Sequence, residues 1–255
     1  MFKGWSSPPH SPEEVFNFLV VEQYVGTVHL IASRTFAMGA LGYTIEHPVL
    51  RDWREAGRQL VAADLYYFFG PWRAKVRYFG GKVFNRKQAR AKLKWISYYR
   101  AALMTALSLS DWKSADRLLE WPGPDLNDDE GKGENLTAED NGYQIWLAMR
   151  LRGESGSEVD DRRDLISRHS RQRPKLLALA ADALFAGEPD QLAKTLADYL
   201  KFYRQREIGL GRDPGERLVR DGISPDGTVL WHLARRRGLG EIKLPQELMI
   251  MIARP

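Results

Sequence analysis

The chain has 255 residues and a formal net charge of +5. Apolar residues make up 44% and charged residues 28%, the balance of a chain that folds around a buried core, which excludes a disordered polymer and a membrane protein. It has no cysteine, so disulfides, thiolate catalysis and zinc–sulfur sites are excluded, and no apolar run approaches the roughly 20 residues of a spanning helix.

The opening segment has no apolar stretch like the core of a signal peptide, and acids follow it at once, so a cytoplasmic location is expected. Ser11-Pro12-Glu13-Glu14 reads as a helix start: serine caps, proline fits the first helical position and acids suit the positive end of the dipole. That helix would bury Phe16, Leu19 and Val20. Pro48 opens a second long segment, with Val49, Trp53, Leu60 and Leu65 at helical spacing, and Gly70-Pro71 stops it. Val76, Tyr78, Phe79 and Val83 around Gly80-Gly81 read as a short β-hairpin within 73–84.

Asn85 caps a strong helix whose stripe is Leu93, Ile96, Tyr99, Leu103 and Leu107. Ser110-Asp111 turns the chain into a shorter helix with Ala115, Leu118 and Leu119 inward, giving an antiparallel helical hairpin. An acidic loop, 122–136, follows. Thr137 starts a helix carrying Tyr143, Trp146, Leu147 and Met149, and a linker at 153–157 leads to a polar helix. Pro174 opens a helix with Leu176, Leu177, Ala180, Ala183 and Leu184, and Gly187 ends it. The next buries Leu192, Leu196, Leu200 and Tyr203. Ser224-Pro225-Asp226 starts another, closed by Arg235, Arg236, Arg237 and Gly238. Pro245 opens a last short helix through Leu248, Met249 and Ile252. The segments Ala106-Leu107-Ser108-Leu109-Ser110-Asp111 and Ala183-Leu184-Phe185-Ala186-Gly187-Glu188 are the same element in two hairpins. The expected fold is therefore all-α, one domain over 1–255, an array of antiparallel α-hairpins in the manner of helical repeats. The acidic loop and the 153–157 linker mark its internal boundaries.

The net charge hides an asymmetry. No acid lies between Asp64 and Asp111, where ten bases fall, while the remaining 28 bases face all 33 acids, a balance of −5. Arg73, Arg77, Arg86, Lys87, Arg90 and Lys94 interleave there with Trp72, Tyr78, Phe84, Trp95 and Tyr98. Bases neutralise phosphates and aromatics stack on nucleobases, so segment 72–100 suits single-stranded nucleic acid. It equally suits the acidic surface of a protein partner, where charge matching speeds association. The plain reading is that the aromatics are core and the bases a solvated helix face.

Other constellations are weaker. The five histidines, His10, His29, His47, His169 and His232, include no pair three to five apart, so no helix presents a paired metal site. Gly209-Leu210-Gly211-Arg212 is not preceded by a strand and lacks the GK[ST] of a phosphate loop. Asp125, Asp128, Asp129, Glu130 and Glu134 do not match a calcium loop, and Lys132 sits among them. The sequence thus points to no catalytic residue, cofactor or metal.

The C-terminal third resembles the immunity protein 49 family of bacterial polymorphic-toxin systems. The residues that carry the likeness are Ile223-Ser224-Pro225-Asp226-Gly227-Thr228-Val229-Leu230, then Leu233-Ala234-Arg235-Arg236, Gly238-Leu239 and Leu244-Pro245-Gln246-Glu247-Leu248. Ala183 to Glu188, followed by a helix ending near Tyr203, fits as well. The resemblance implies an all-α, non-catalytic protein that binds and neutralises a cognate toxin. It transfers no contact residues. A general helical scaffold is the third reading.

Overall fold

The computed structural model describes residues 95–120, 139–206 and 224–252, together with Val61, Ala62, Leu65, Phe69 and the pairs 76–77 and 83–84. These described residues are mostly helical, with short turns between the helices and one two-residue ladder. There β1 (Val76–Arg77) and β2 (Val83–Phe84) pair antiparallel, Val76 opposite Phe84 and Arg77 opposite Val83, inside the segment read as a hairpin.

The helices are α1 (Trp95–Ser108), α2 (Trp112–Leu119), α3 (Glu139–Leu151), α4 (Ser157–Arg168), α5 (Gln172–Ala186), α6 (Pro189–Arg206), α7 (Pro225–Arg236) and α8 (Gln246–Met249). Their inward faces follow the apolar spacing. Tyr99, Leu103 and Leu107 of α1, Ala115 and Leu118 of α2, and Tyr143, Trp146, Leu147 and Met149 of α3 are buried. So are Leu177, Ala180, Ala183 and Leu184 of α5, and Leu192, Leu196, Leu200 and Tyr203 of α6. All join one hydrophobic core. The helix begun at Asn85 in the sequence is described only from Trp95, and the N-terminal helices and the acidic loop lie outside the described residues.

The odd-numbered helices end in one and the same way. The amide of Asp111 reaches the Ala106 carbonyl, Glu154 reaches Met149, Glu188 reaches Ala183 and Leu239 reaches Ala234, all within 2.9–3.1 Å. In each case the residue before the donor is left-handed: Ser110, Gly153, Gly187 and Gly238, with φ between 55° and 77°. This is the Schellman closure, which satisfies the last carbonyls of a helix and turns the chain back. Three of the four positions are glycine because a Cβ is strained at positive φ. The echo seen in the sequence at Ala106 and Ala183 is thus two of four.

The odd-numbered helices also pack on each other in cyclic order, α1 on α3, α3 on α5, α5 on α7, and α7 back on α1. Contacts at their two ends fix their sense. Arg100, Gln144, Arg173 and Asp226, from the first halves of α1, α3, α5 and α7, meet in one chain of hydrogen bonds. Arg150 and Arg237, from the ends of α3 and α7, both rest on Phe185 near the end of α5. These three helices therefore run in the same direction. Arg236 of α7 reaches Asp116 and Trp112 of α2, which extends the same sense to α1. The helices α2, α4 and α6 lie against this set, α2 on α1, α4 on α3 and α5, and α6 on α5 and α7.

Helix α7 is the most enclosed. All nine residues from Asp226 to Ala234 are buried. Ser224 caps it, its hydroxyl accepting from the Gly227 amide at 3.1 Å and donating to the Tyr199 hydroxyl at 3.0 Å. A Cβ at Gly227 would come within 2.9 Å of Leu200 Cδ2 and 3.3 Å of Ile252 Cδ1. Glycine is what lets α7 approach α6 and the C-terminal turn this closely.

Candidate functional site

Two polar assemblies sit at opposite ends of the helix set. The first surrounds Asp226. Its position in the first turn of α7 places a carboxylate at the positive end of the helix dipole. Arg173 Nη2 donates to Asp226 Oδ2 at 2.7 Å, and the two side chains are 25% and 4% exposed. Gln144 reaches Asp226 Oδ1 at 3.5 Å, the long limit of a hydrogen bond, and accepts from Arg100 Nε at 2.8 Å. A carboxylate this enclosed has to be paired to stay charged. The assembly joins α1, α3, α5 and α7 through one residue from each, and its chemistry is that of an interhelical lock.

Tyr99, Tyr143 and Tyr199 are among the phenols buried in the same core. Tyr99 is pushed up to about 12, first by burial, against the lowering effect of Arg152. Tyr143 and Tyr199 are raised well above the ordinary phenol range, first by burial and then by the Asp226 charge, with Arg173 opposing. The consequence for stability has a definite sign. Below pH 10 these phenols are protonated whether the chain is folded or not, so they cost nothing. Above it the unfolded chain ionises them and the folded chain does not. Stability falls by about 1.4 kcal/mol per pH unit for each such phenol, until the folded value is passed. Urea unfolding midpoints are expected to be flat from about pH 7 to 9.5 and to drop steeply from pH 10 to 12. Tyr143→Phe should make that drop shallower. A midpoint that holds level to pH 12 would show that these phenols are solvated.

The second assembly lies where α3, α5 and α7 end. The guanidinium of Arg150 is 4.9 Å from the Phe185 ring centroid and that of Arg237 is 5.2 Å from the same centroid. Arg235 lies 4.9 Å from the Trp231 ring, and Arg236 lies 4.7 Å from the Trp112 ring. Arg236 also pairs with both oxygens of Asp116, at 2.9 and 2.7 Å, an ion pair that holds its pKa above the ordinary arginine value. Arg150, Arg235 and Arg237 have no carboxylate partner among the described residues. Arg235, Arg236 and Arg237 are exposed, while Arg150 and Phe185 are half-buried. Cations here suit the negative ends of three helices, and cation–π contacts hold their side chains in place.

Of the bases read from the sequence as a contact patch, Arg77 is placed on β1. Arg73, Arg86, Lys87, Arg90 and Lys94 lie outside the described residues. Among the histidines, His232 is buried on α7 with its ring edge-on to Trp231 at 5.3 Å, and His169 follows α4, its Nδ1 accepting from the Arg171 amide at 3.1 Å. Among the described residues no three His, Asp or Glu side chains gather as a metal would require. No helix among them is long and apolar enough to cross a membrane.

Sequence reading missed both assemblies in part. Asp226 reads as an ordinary first-turn acid. Its signal is the company it keeps, since an acid followed by a run of buried types such as Thr228-Val229-Leu230-Trp231 has no solvated face to occupy. Arg235 to Arg237 read as dipole partners of α7, but Arg150 carries no such mark. No family model, curated protein or solved structure matches this chain.

Proposed function

We propose that this is a non-catalytic, cytoplasmic protein-binding protein of the immunity type, which neutralises a cognate bacterial toxin by direct binding. The observation that carries the reading is the arginine end of the helix set. Arginine and tryptophan dominate the energetic centres of protein interfaces, and here Arg150, Arg235 and Arg237 stand over aromatic rings with no acid partner among the described residues. The likeness of segment 223–248 to the immunity protein 49 family supports it from a second side. We read the helices as antiparallel hairpins, α1–α2, α3–α4 and α5–α6, with one member of each in the cyclic set that α7 completes. Rigid hairpins of this kind present helix ends as a fixed surface. The basic segment 72–100 is assigned to the same role.

The test is a tagged pull-down from the source cell at moderate salt, split into nuclease-treated and untreated halves. One stoichiometric protein that survives nuclease is expected. Joint charge reversal of Arg86, Lys87, Arg90 and Lys94 should weaken its capture and flatten the salt dependence. Recovery of nucleic acid, with every partner lost on nuclease treatment, would instead make the chain a single-strand binder. Several unrelated partners would make it a scaffold.

A further inference from the structure

We propose that Arg150 and Arg237, both seated on Phe185, form a clasp for two neighbouring carboxylates of an acidic protein segment. The inference rests on the protein-binding reading and narrows the partner's chemistry. Both guanidiniums are measured to one centroid, so they stand no more than about 10 Å apart. A guanidinium carries five N–H donors in its plane, a fork that fits a carboxylate. Neither arginine has an acid partner among the described residues, although Arg117, Arg152 and Arg236 at other points each hold one. Dipole complementarity explains one base at each helix end. It does not require two of them on a single ring.

The spacing selects the ligand. Side chains three or four apart on a helix have Cβ atoms about 5–6 Å apart, and alternate residues of a strand are about 6.6–6.8 Å apart. Two carboxylates at either spacing can each meet one guanidinium. Nucleic acid fits less well. Binding a single strand needs open aromatic faces for its bases. Here Phe185 already carries two guanidiniums, Trp112 lies under Arg236, and Trp231 is 6% exposed beneath Arg235.

The experiment measures fluorescence anisotropy of a labelled peptide with glutamates at i, i+3 and i+4, and separately of labelled oligothymidylate, at low ionic strength. The full chain is compared with R150Q/R237Q, which keeps much of both stems, and with R168Q/R204Q, which changes two arginines of α4 and α6 elsewhere. Circular dichroism melts establish that each variant folds. R150Q/R237Q is expected to lose about 10-fold or more in peptide affinity, as close charge pairs at interfaces do, and R168Q/R204Q to lose little. Equal peptide affinity in all three proteins, no peptide binding, or tighter binding of oligothymidylate with the same loss would each overturn the clasp. A captured protein partner whose binding is untouched by R150Q/R237Q would also overturn it, and would leave the protein-binding reading standing. Peptide binding lost in R150Q/R237Q, with no protein captured from the cell, would support the clasp and remove that reading.

Discussion

Arg173→Ala is expected to lower the unfolding free energy by about 3 kcal/mol, near the lower end of what breaking a buried ion pair costs. The reason is asymmetric burial. Asp226 is 4% exposed and Arg173 is 25% exposed, so removing the arginine strands a charge that water cannot reach. Removing the acid strands one that can turn outward. Gln144 and the start of α7 still face the carboxylate in Arg173→Ala, which keeps the loss from the top of that range. Asp226→Ala should cost less, about 1–2 kcal/mol, the usual penalty for leaving a polar partner unsatisfied. Urea denaturation of both variants and of the double variant measures the coupling. If Asp226→Ala proves the costlier, or if Arg173→Ala costs under about 1 kcal/mol, Asp226 is solvated and the lock does not exist.

Trp146→Ala is expected to cost about 3–5 kcal/mol, the range for emptying a large aromatic site in a core. Trp146 is 1% exposed. Its ring is T-shaped to Phe185 at 6.4 Å between centroids and an interplanar angle of 85°, lies 6.3 Å from the Tyr143 ring, and has the Arg163 guanidinium 5.7 Å from its centroid. Arg163 is itself fixed to Asp182 of α5 at 2.6 Å. One side chain therefore ties α3 to α4 and α5. Since Phe185 also carries Arg150 and Arg237, its ring should lose its orientation in the variant, and peptide affinity should fall with stability. Trp146→Phe should recover part of both. Melts that place Trp146→Ala within about 1 kcal/mol of the parent would mean that the site collapses without cost.

These two residues show what the sequence discloses. Trp146 is legible because Tyr143, Trp146, Leu147 and Met149 recur at helical spacing, and burial follows from periodicity. The starts and stops of α5 and α7 are legible for a similar reason, since Ser224-Pro225-Asp226 and Gly187 act on their immediate neighbours. The Asp226 assembly is not legible. It gathers Arg100, Gln144, Arg173 and Asp226 from four helices, and nothing local to any of them announces the other three. The repeated helix closure is partly hidden too. Glycine marks it at 153, 187 and 238, but at 110 a serine adopts the same left-handed turn. No periodicity exposes it, because the intervals between the four turns differ. The arginine end is half legible: Arg235 to Arg237 stand out as a run, while Arg150 becomes significant only when α3 is laid beside α5.

The return of α7 onto α1 also sets a timetable for synthesis. The face of α1 that meets α7 cannot be covered until the chain has grown from residue 108 to residue 236. At about 5–20 residues per second, that leaves it bare for roughly 6–25 s while the chain is still on the ribosome. Any nascent chain cut short before residue 225 carries that apolar strip permanently uncovered, a ready substrate for chaperones and proteases. Completion of α7 is thus the event that covers this face of α1.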